Sequence, residues 1–241
     1  MKRFLFLLII LLPLFSNAQR VPDNDEVLAR ISNTGSRYFY PIPFSRYMAG
    51  DTTLTADDYY YLYYGYAYQD SYKPLETITA EDLMLDVFSR NPQPNVIESE
   101  KIVEYGLEVM KADPFSPRTL NFMTYAYGVM GDTVNGRINA DRLAKVLATI
   151  ESSGTGLKEE SPWHVLQFTH SADVLAAKGV DPLKRRVVTR TVEYIQLVKP
   201  DGKIKGYYFD FGRVYWKRPE TVREKRVQGI EFNGIKPKRN K

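Results

Sequence analysis

"DDYYYLYYGYAY" (Asp57–Tyr68) places seven tyrosines between Tyr59 and Tyr68, around a single glycine, Gly65. Tyrosine favours strands, but the residues just ahead carry a helix start signal. Thr55-Ala56-Asp57-Asp58 has the form of a capping box, with Thr55 as N-cap and an acid three positions later. The signal and the length of the run decide for a helix. On a helix, Tyr59, Leu62, Tyr63 and Tyr66 share one stripe, and Tyr60, Tyr64, Ala67 and Tyr68 share another. Gly65 lies between them, where a missing side chain lets a neighbour approach, at a cost of ~1 kcal/mol in helix propensity relative to alanine. The first stripe is expected to face the core. The second is left as a candidate groove-lining face, with Tyr60, Tyr64 and Tyr68 as candidate binding residues, because a tyrosine can pack its ring while its hydroxyl stays wet.

Downstream the start and stop signals continue. Thr79-Ala80-Glu81-Asp82 opens a second helix, and Ile102, Tyr105, Val109 and Met110 mark a third over 96–112. Asp113-Pro114 stops it, and Ser116 as N-cap with Pro117 at the first helical position starts a fourth. A fifth is expected from about Asn139 to Glu151, before the boundary "ESSGTG". After that the pattern changes. "PWHVLQFTH" reads as a strand, "SADVLAAKG" as a short helix ending at Gly179, and "RVVTRTVEYIQLV" and "KGYYFDFGRVYW" as strands. Pro200-Asp201-Gly202 between the last two is a hairpin turn. The expected fold class is α+β: antiparallel helix pairs followed by a small, mainly antiparallel β-sheet.

Tyr61-x2-Tyr64-Gly65-x2-Tyr68 resembles the first helix of a tetratricopeptide repeat, with Pro114 where the repeat's proline belongs. Leu120-x2-Met123-Thr124-x2-Tyr127 begins the spacing again. Gly106 and Asp86 stand where the repeat has bulky aromatics, so the resemblance implies helix pairs rather than a full solenoid. Across the mature chain, "DDYYYLYYGYAYQDSYKP" (Asp57–Pro74), the helix pairs after it and "GYYFDFGRVYW" (Gly206–Trp216) resemble DUF4919, a family of exported Bacteroidota proteins. That resemblance implies an envelope or secreted location and supplies no activity, substrate or catalytic residue.

The chain opens with Lys2 and Arg3, an apolar run from Phe4 to Phe15, and Ser16-Asn17-Ala18, the pattern of a cleaved signal peptide. The apolar run is shorter than the ~20 residues of a spanning helix, and no later stretch is long enough. The expectation is export, with Gln19 at the mature N-terminus, no lipid anchor and no transmembrane span. A chain with no cysteine must rely on its core, and ~220 residues suffice for that. The expected division is residues 1–18 leader, 19–154 helical, 155–219 mixed α/β packed on the helices, and 220–241 a basic tail. The formal charge of +4 falls to +2 without Lys2 and Arg3; residues 217–241 hold nine bases and three acids, which leaves −4 for the body. The basic character therefore belongs to the tail, and the acidic body excludes the basic, aromatic-studded surface of a nucleic-acid binder.

Two histidines and no cysteine leave little room for nucleophilic or metal chemistry, and no cofactor or metal is expected. On a strand, His164 and His170 lie roughly 20 Å apart at ~3.3 Å per residue, too far to share a metal. His170 with Asp173 is the one pairing that would orient an imidazole, and it supplies the weak candidate residues for an enzyme. "GTG" at Gly154–Gly156 lacks the lysine and hydroxyl of a phosphate loop. The leading expectation is a non-catalytic module for peptide, protein or glycan, and the alternative is a hydrolase of envelope material built on His170.

Overall fold

The computed structural model describes residues 19–216; the expected leader and the basic tail lie outside the described residues. Eight helices and four strands run in order: α1 (Asn24–Ser32), α2 (Pro41–Met48), α3 (Ala56–Tyr66), α4 (Thr79–Arg90), α5 (Val96–Ala112), α6 (Pro117–Val129), α7 (Thr133–Ser152), β1 (Trp163–His164), α8 (Phe168–Ala177), β2 (Pro182–Val187), β3 (Val192–Asp201) and β4 (Ile204–Asp210). The fold is α+β, as the sequence patterns lead one to expect.

The caps explain most helix starts. Thr55 accepts from the Asp58 amide while Asp58 Oδ2 accepts from the Thr55 amide at 2.8 Å, so the capping box forms with aspartate in the usual glutamate place. Ser116 caps α6 with Pro117 inside it. Asn95 and Glu98 make a second reciprocal box at α5. Asp132 caps α7, so that helix begins six residues before the expected Asn139 and carries Gly136 in its first turn. At α4 the residue outside the helix is Ile78, and Thr79 is already helical with no side-chain cap.

Helices α4 to α7 pack in succession, each on the next, whereas α3 packs chiefly on α1, α2 and α7. Gly106 on α5 has a packing reason: a Cβ there would lie 2.7 Å from the Met123 side chain of α6. The sheet order is β1-β4-β3-β2, with β3 antiparallel to both neighbours and β1 parallel to β4. Gly202, at φ 60°, makes the tight turn between β3 and β4. Strand β2 is an exposed edge whose Lys184, Arg185 and Arg186 discourage pairing with another chain.

Two expected strands are redrawn. Of "PWHVLQFTH" only Trp163–His164 is strand, and the rest turns inward at Val165 and Leu166 and enters α8 at Phe168. A nine-residue apolar run carries no periodicity able to separate strand from buried helix. "RVVTRTVEYIQLV" is divided between β2 and β3, which pair antiparallel across 188–191.

A single buried cluster joins the helices to the sheet, from Val27 and Ile31 through the α3 tyrosines to Trp163, Ile195, Phe209 and Phe211. Every residue from Asp58 to Tyr66 is buried. A helix apolar all round is a central helix, and α3 is one.

Candidate functional site

The three tyrosines set aside for binding do not line a groove. Tyr60, Tyr64 and Tyr68 are 3, 0 and 7 % exposed, so the expected open stripe is corrected to core. The cover comes from several elements: Arg20 and Asp23 lie on Tyr60, the Thr149 and His164 carbonyls and Arg213 on Tyr64, and Asn24 and Trp216 on Tyr68, while α1 and α2 also pack on α3. A Cβ on Gly65 would sit 3.1 Å from Ile31 and from the Tyr40 ring, so this glycine is where those two helices come in close.

Burial of so many hydroxyls requires a partner for each, and most partners are backbone groups far away in sequence. The Tyr60 hydroxyl accepts from the Asp23 amide at 3.3 Å. Tyr64 donates to the carbonyls of Thr149 and His164, Tyr66 to that of Ala112 at 2.7 Å, and Tyr68 to that of Asn24 at 2.8 Å. Tyr61 donates to Glu26 and accepts from Arg20. Burial pushes the Tyr66 and Tyr68 hydroxyls up to about 12, and raises that of Tyr63 well above its ordinary value as well. None of them is a ready proton donor at neutral pH.

Tyr63 leads to a different constellation. Its hydroxyl accepts from the Leu166 amide at 3.2 Å and meets Nδ1 of His170 at 2.8 Å. Nε2 of His170 lies 2.9 Å from Asp113 Oδ2. A carboxylate only accepts, so Nε2 donates to Asp113, and in the neutral ring Nδ1 accepts from Tyr63. The ring is fully buried. The acid beside His170 is therefore Asp113, from the α5–α6 corner. Asp173 instead binds Arg118, with its Oδ1 2.9 Å from Nη2, while its buried Oδ2 has no hydrogen-bond partner among the described residues. Burial raises the Asp173 carboxyl despite Arg118. Arg118 also lies 3.6 Å from Glu81 on α4, and burial raises that carboxyl too.

This cluster reaches the surface at a cleft of about 190 Å³ between the α3–α4 connection, α4 and the start of α8. Its walls include the acids Glu76, Glu81, Asp82 and Asp113 and the apolar Pro74, Ile78 and Phe168. A larger cleft, about 580 Å³, lies along the end of α7 by Thr155 and Trp163. Trp163 presents no open face there: its ring stacks on Tyr207, and a Cβ at Gly156 would touch the indole at 2.7 Å.

His164 is separate from all this. It lies 3.8 Å from Asp210, and burial, with Arg213 adding to it, drives its imidazole down to about 4 against the pull of that carboxylate. Among the described residues no group of three or more histidine and acidic side chains is arranged to hold a metal ion, and no described helix is long and apolar enough to cross a membrane.

Asp113, Glu81 and Arg118 were not singled out by sequence. Asp113 reads as a helix stop, and it stands 57 residues from the histidine it meets, so no local spacing could join them.

Comparison with known proteins gives one family. The model for a domain of unknown function, DUF4919, matches residues 25–218. The chain belongs to the DUF4919 family. The match begins within α1 and passes the last described residue, so it takes in the whole α+β body, both clefts and the buried histidine cluster. No curated protein and no solved structure matches the chain.

Proposed function

We propose that this DUF4919 chain is exported from a bacterium of the Bacteroidota and serves in the periplasm or outside the cell as a non-catalytic module that binds a protein, peptide or glycan, with a peptide carrying basic side chains the best-fitting ligand. The observation that carries this reading is the cleft beside α4, where Glu76, Glu81, Asp82 and Asp113 stand among Pro74, Ile78 and Phe168. Carboxylates set in apolar walls suit the ammonium or guanidinium end and the aliphatic stem of lysine or arginine. The state of His170 supports a non-catalytic role: both ring nitrogens are engaged by Tyr63 and Asp113, and the ring is buried, so neither nitrogen faces a substrate. In the same proposal residues 1–18 are the cleaved leader, 19–154 the helical part with tetratricopeptide-like pairs, 155–219 the mixed part and 220–241 a basic extension.

The test is titration of the mature chain with lysine- and arginine-containing peptides, neutral peptides and neutral oligosaccharides. Basic peptides are expected to bind, more weakly in high salt and more weakly to Glu81→Gln. Binding that ignores Glu81→Gln, or no binding to any of these, overturns the assignment of the cleft. A second reading, hydrolysis of envelope material, has one observation in its favour: Asp113, the partner of His170, shares the cleft wall with Glu81, whose carboxyl burial raises. Release of soluble fragments from cell-wall material, abolished by Glu81→Gln, would favour it.

A further inference from the structure

Gln19 follows the Ser16-Asn17-Ala18 cleavage pattern, and the body of the protein holds it in place. Its side-chain Oε1 accepts from Ser161 Oγ at 3.1 Å. The next amide, of Arg20, donates to the Ser152 carbonyl at 2.8 Å. The Arg20 guanidinium lies 3.6 Å from the Tyr60 ring centre, donates to the Tyr61 hydroxyl and pairs with Asp57 and Glu26. Arg20, the second residue after the cleavage point, therefore covers the outside of the tyrosine helix, while Gln19 is exposed and bonded to Ser161.

We infer that the mature N-terminus is a modification site: once the leader is removed, Gln19 cyclises to pyroglutamate. The inference rests on the export reading above. A glutamine with a free α-amine has its own side-chain amide within reach of a five-membered ring. The unprotonated α-nitrogen attacks Cδ, the new N–Cδ bond forms, and the Cδ–Nε2 bond breaks. The departing nitrogen takes the proton lost from the α-nitrogen and leaves as ammonia. No oxidant, reductant or second substrate is needed.

The surroundings of Gln19 suit the product as well as the reactant. Oε1 stays on Cδ and becomes the lactam carbonyl, so the oxygen that accepts from Ser161 in the open chain is still an acceptor in the product. The reaction removes a terminal positive charge and the free amine that an aminopeptidase requires. Trimming would otherwise remove Arg20 soon after Gln19, and with it the cation over Tyr60 and the partner of Tyr61. Cyclisation thus protects the contact of Arg20 with Tyr60 and Tyr61.

The experiment is intact-mass and N-terminal analysis of the full exported chain, recovered from cells that secrete it through its own leader. The expected product spans Gln19 to Lys241, weighs one ammonia less than that sequence, resists stepwise N-terminal degradation and is opened by pyroglutamyl peptidase. The Gln19→Asn variant, whose shorter side chain cannot close the five-membered ring, is expected to have a free N-terminus and to lose residues 19 and 20 to an aminopeptidase that leaves the wild-type chain intact. An exported chain that begins with unmodified Gln19 overturns the inference and leaves the export reading standing. A chain that keeps Met1 overturns both.

Discussion

At the residue scale, the tyrosines of α3 are held by two different means. Tyr60 is covered by Arg20 and anchored by one amide, while Tyr63 lies at the centre of a polar set that includes His170, Asp113 and the Leu166 amide. Truncation should not distinguish them, because both rings are buried. Tyr60→Ala and Tyr63→Ala are each expected to cost ~3–5 kcal/mol in urea unfolding. A cost under ~1 kcal/mol at Tyr60 alone would return that residue to an open face. Removal of the hydroxyl should separate them. Tyr63→Phe deprives both the Leu166 amide and His170 Nδ1 of a partner in a fully buried place, and the penalty for stranded groups is ~1–3 kcal/mol. Tyr60→Phe leaves only the Asp23 amide, near the surface, and should be milder.

At the element scale, α3 is a short helix of poor formers that depends on its first turn and its neighbours. Tyrosine loses side-chain freedom on a helix, and Gly65 adds its own cost. The Thr55–Asp58 box offsets part of this, and Arg37 at 3.1 Å from Asp58 holds the acid in position. Thr55→Ala is expected to destabilise the protein by ~1–2 kcal/mol, with Thr55→Ser restoring most of the loss. An unchanged melting temperature in Thr55→Ala would mean that packing alone fixes the helix start. Strand β1 is the opposite case, an element made by its setting. Two residues pair with Phe209 and Asp210 of β4, and the chain then turns into α8. Nothing in the residues of "WHVLQF" dictates that turn.

At the scale of the whole molecule, His164 marks the junction between helices and sheet. Its amide donates to Ser153 Oγ at the end of α7, its carbonyl accepts from Tyr64 of α3, and its ring faces Asp210 and Arg213. The imidazole falls from its ordinary 6.5 to about 4 on folding. The unfolded chain therefore takes up the proton first as pH falls, so stability is full above ~6.5 and declines towards pH 4. The loss attributable to this group is on the order of 2–4 kcal/mol at the acid end. Chemical denaturation at a series of pH values should show that decline, and His164→Gln should flatten it between pH 6.5 and 4. An identical slope in the variant would assign the acid sensitivity to the carboxylates instead.

Local chemistry was enough for the helical starts at Thr55 and Ser116, the stop at Asp113-Pro114, the hairpin at Asp201-Gly202 and the α+β order, because caps, proline and turn residues act within a few positions of themselves. The tertiary structure alone decided which faces are buried. Two stripes on α3 are equally legible in sequence, and the second became core because Arg20, the end of α7, His164, Arg213 and Trp216 lie across it. It also decided that His170 meets Asp113 and not Asp173. The nearer acid, three residues on along α8, is drawn to Arg118 of α6, while the corner after α5 brings its aspartate to Nε2 of the ring. Periodicity fixes a residue's direction on its own helix, but whether water or another helix lies in that direction depends on long-range packing that no short stretch of sequence contains.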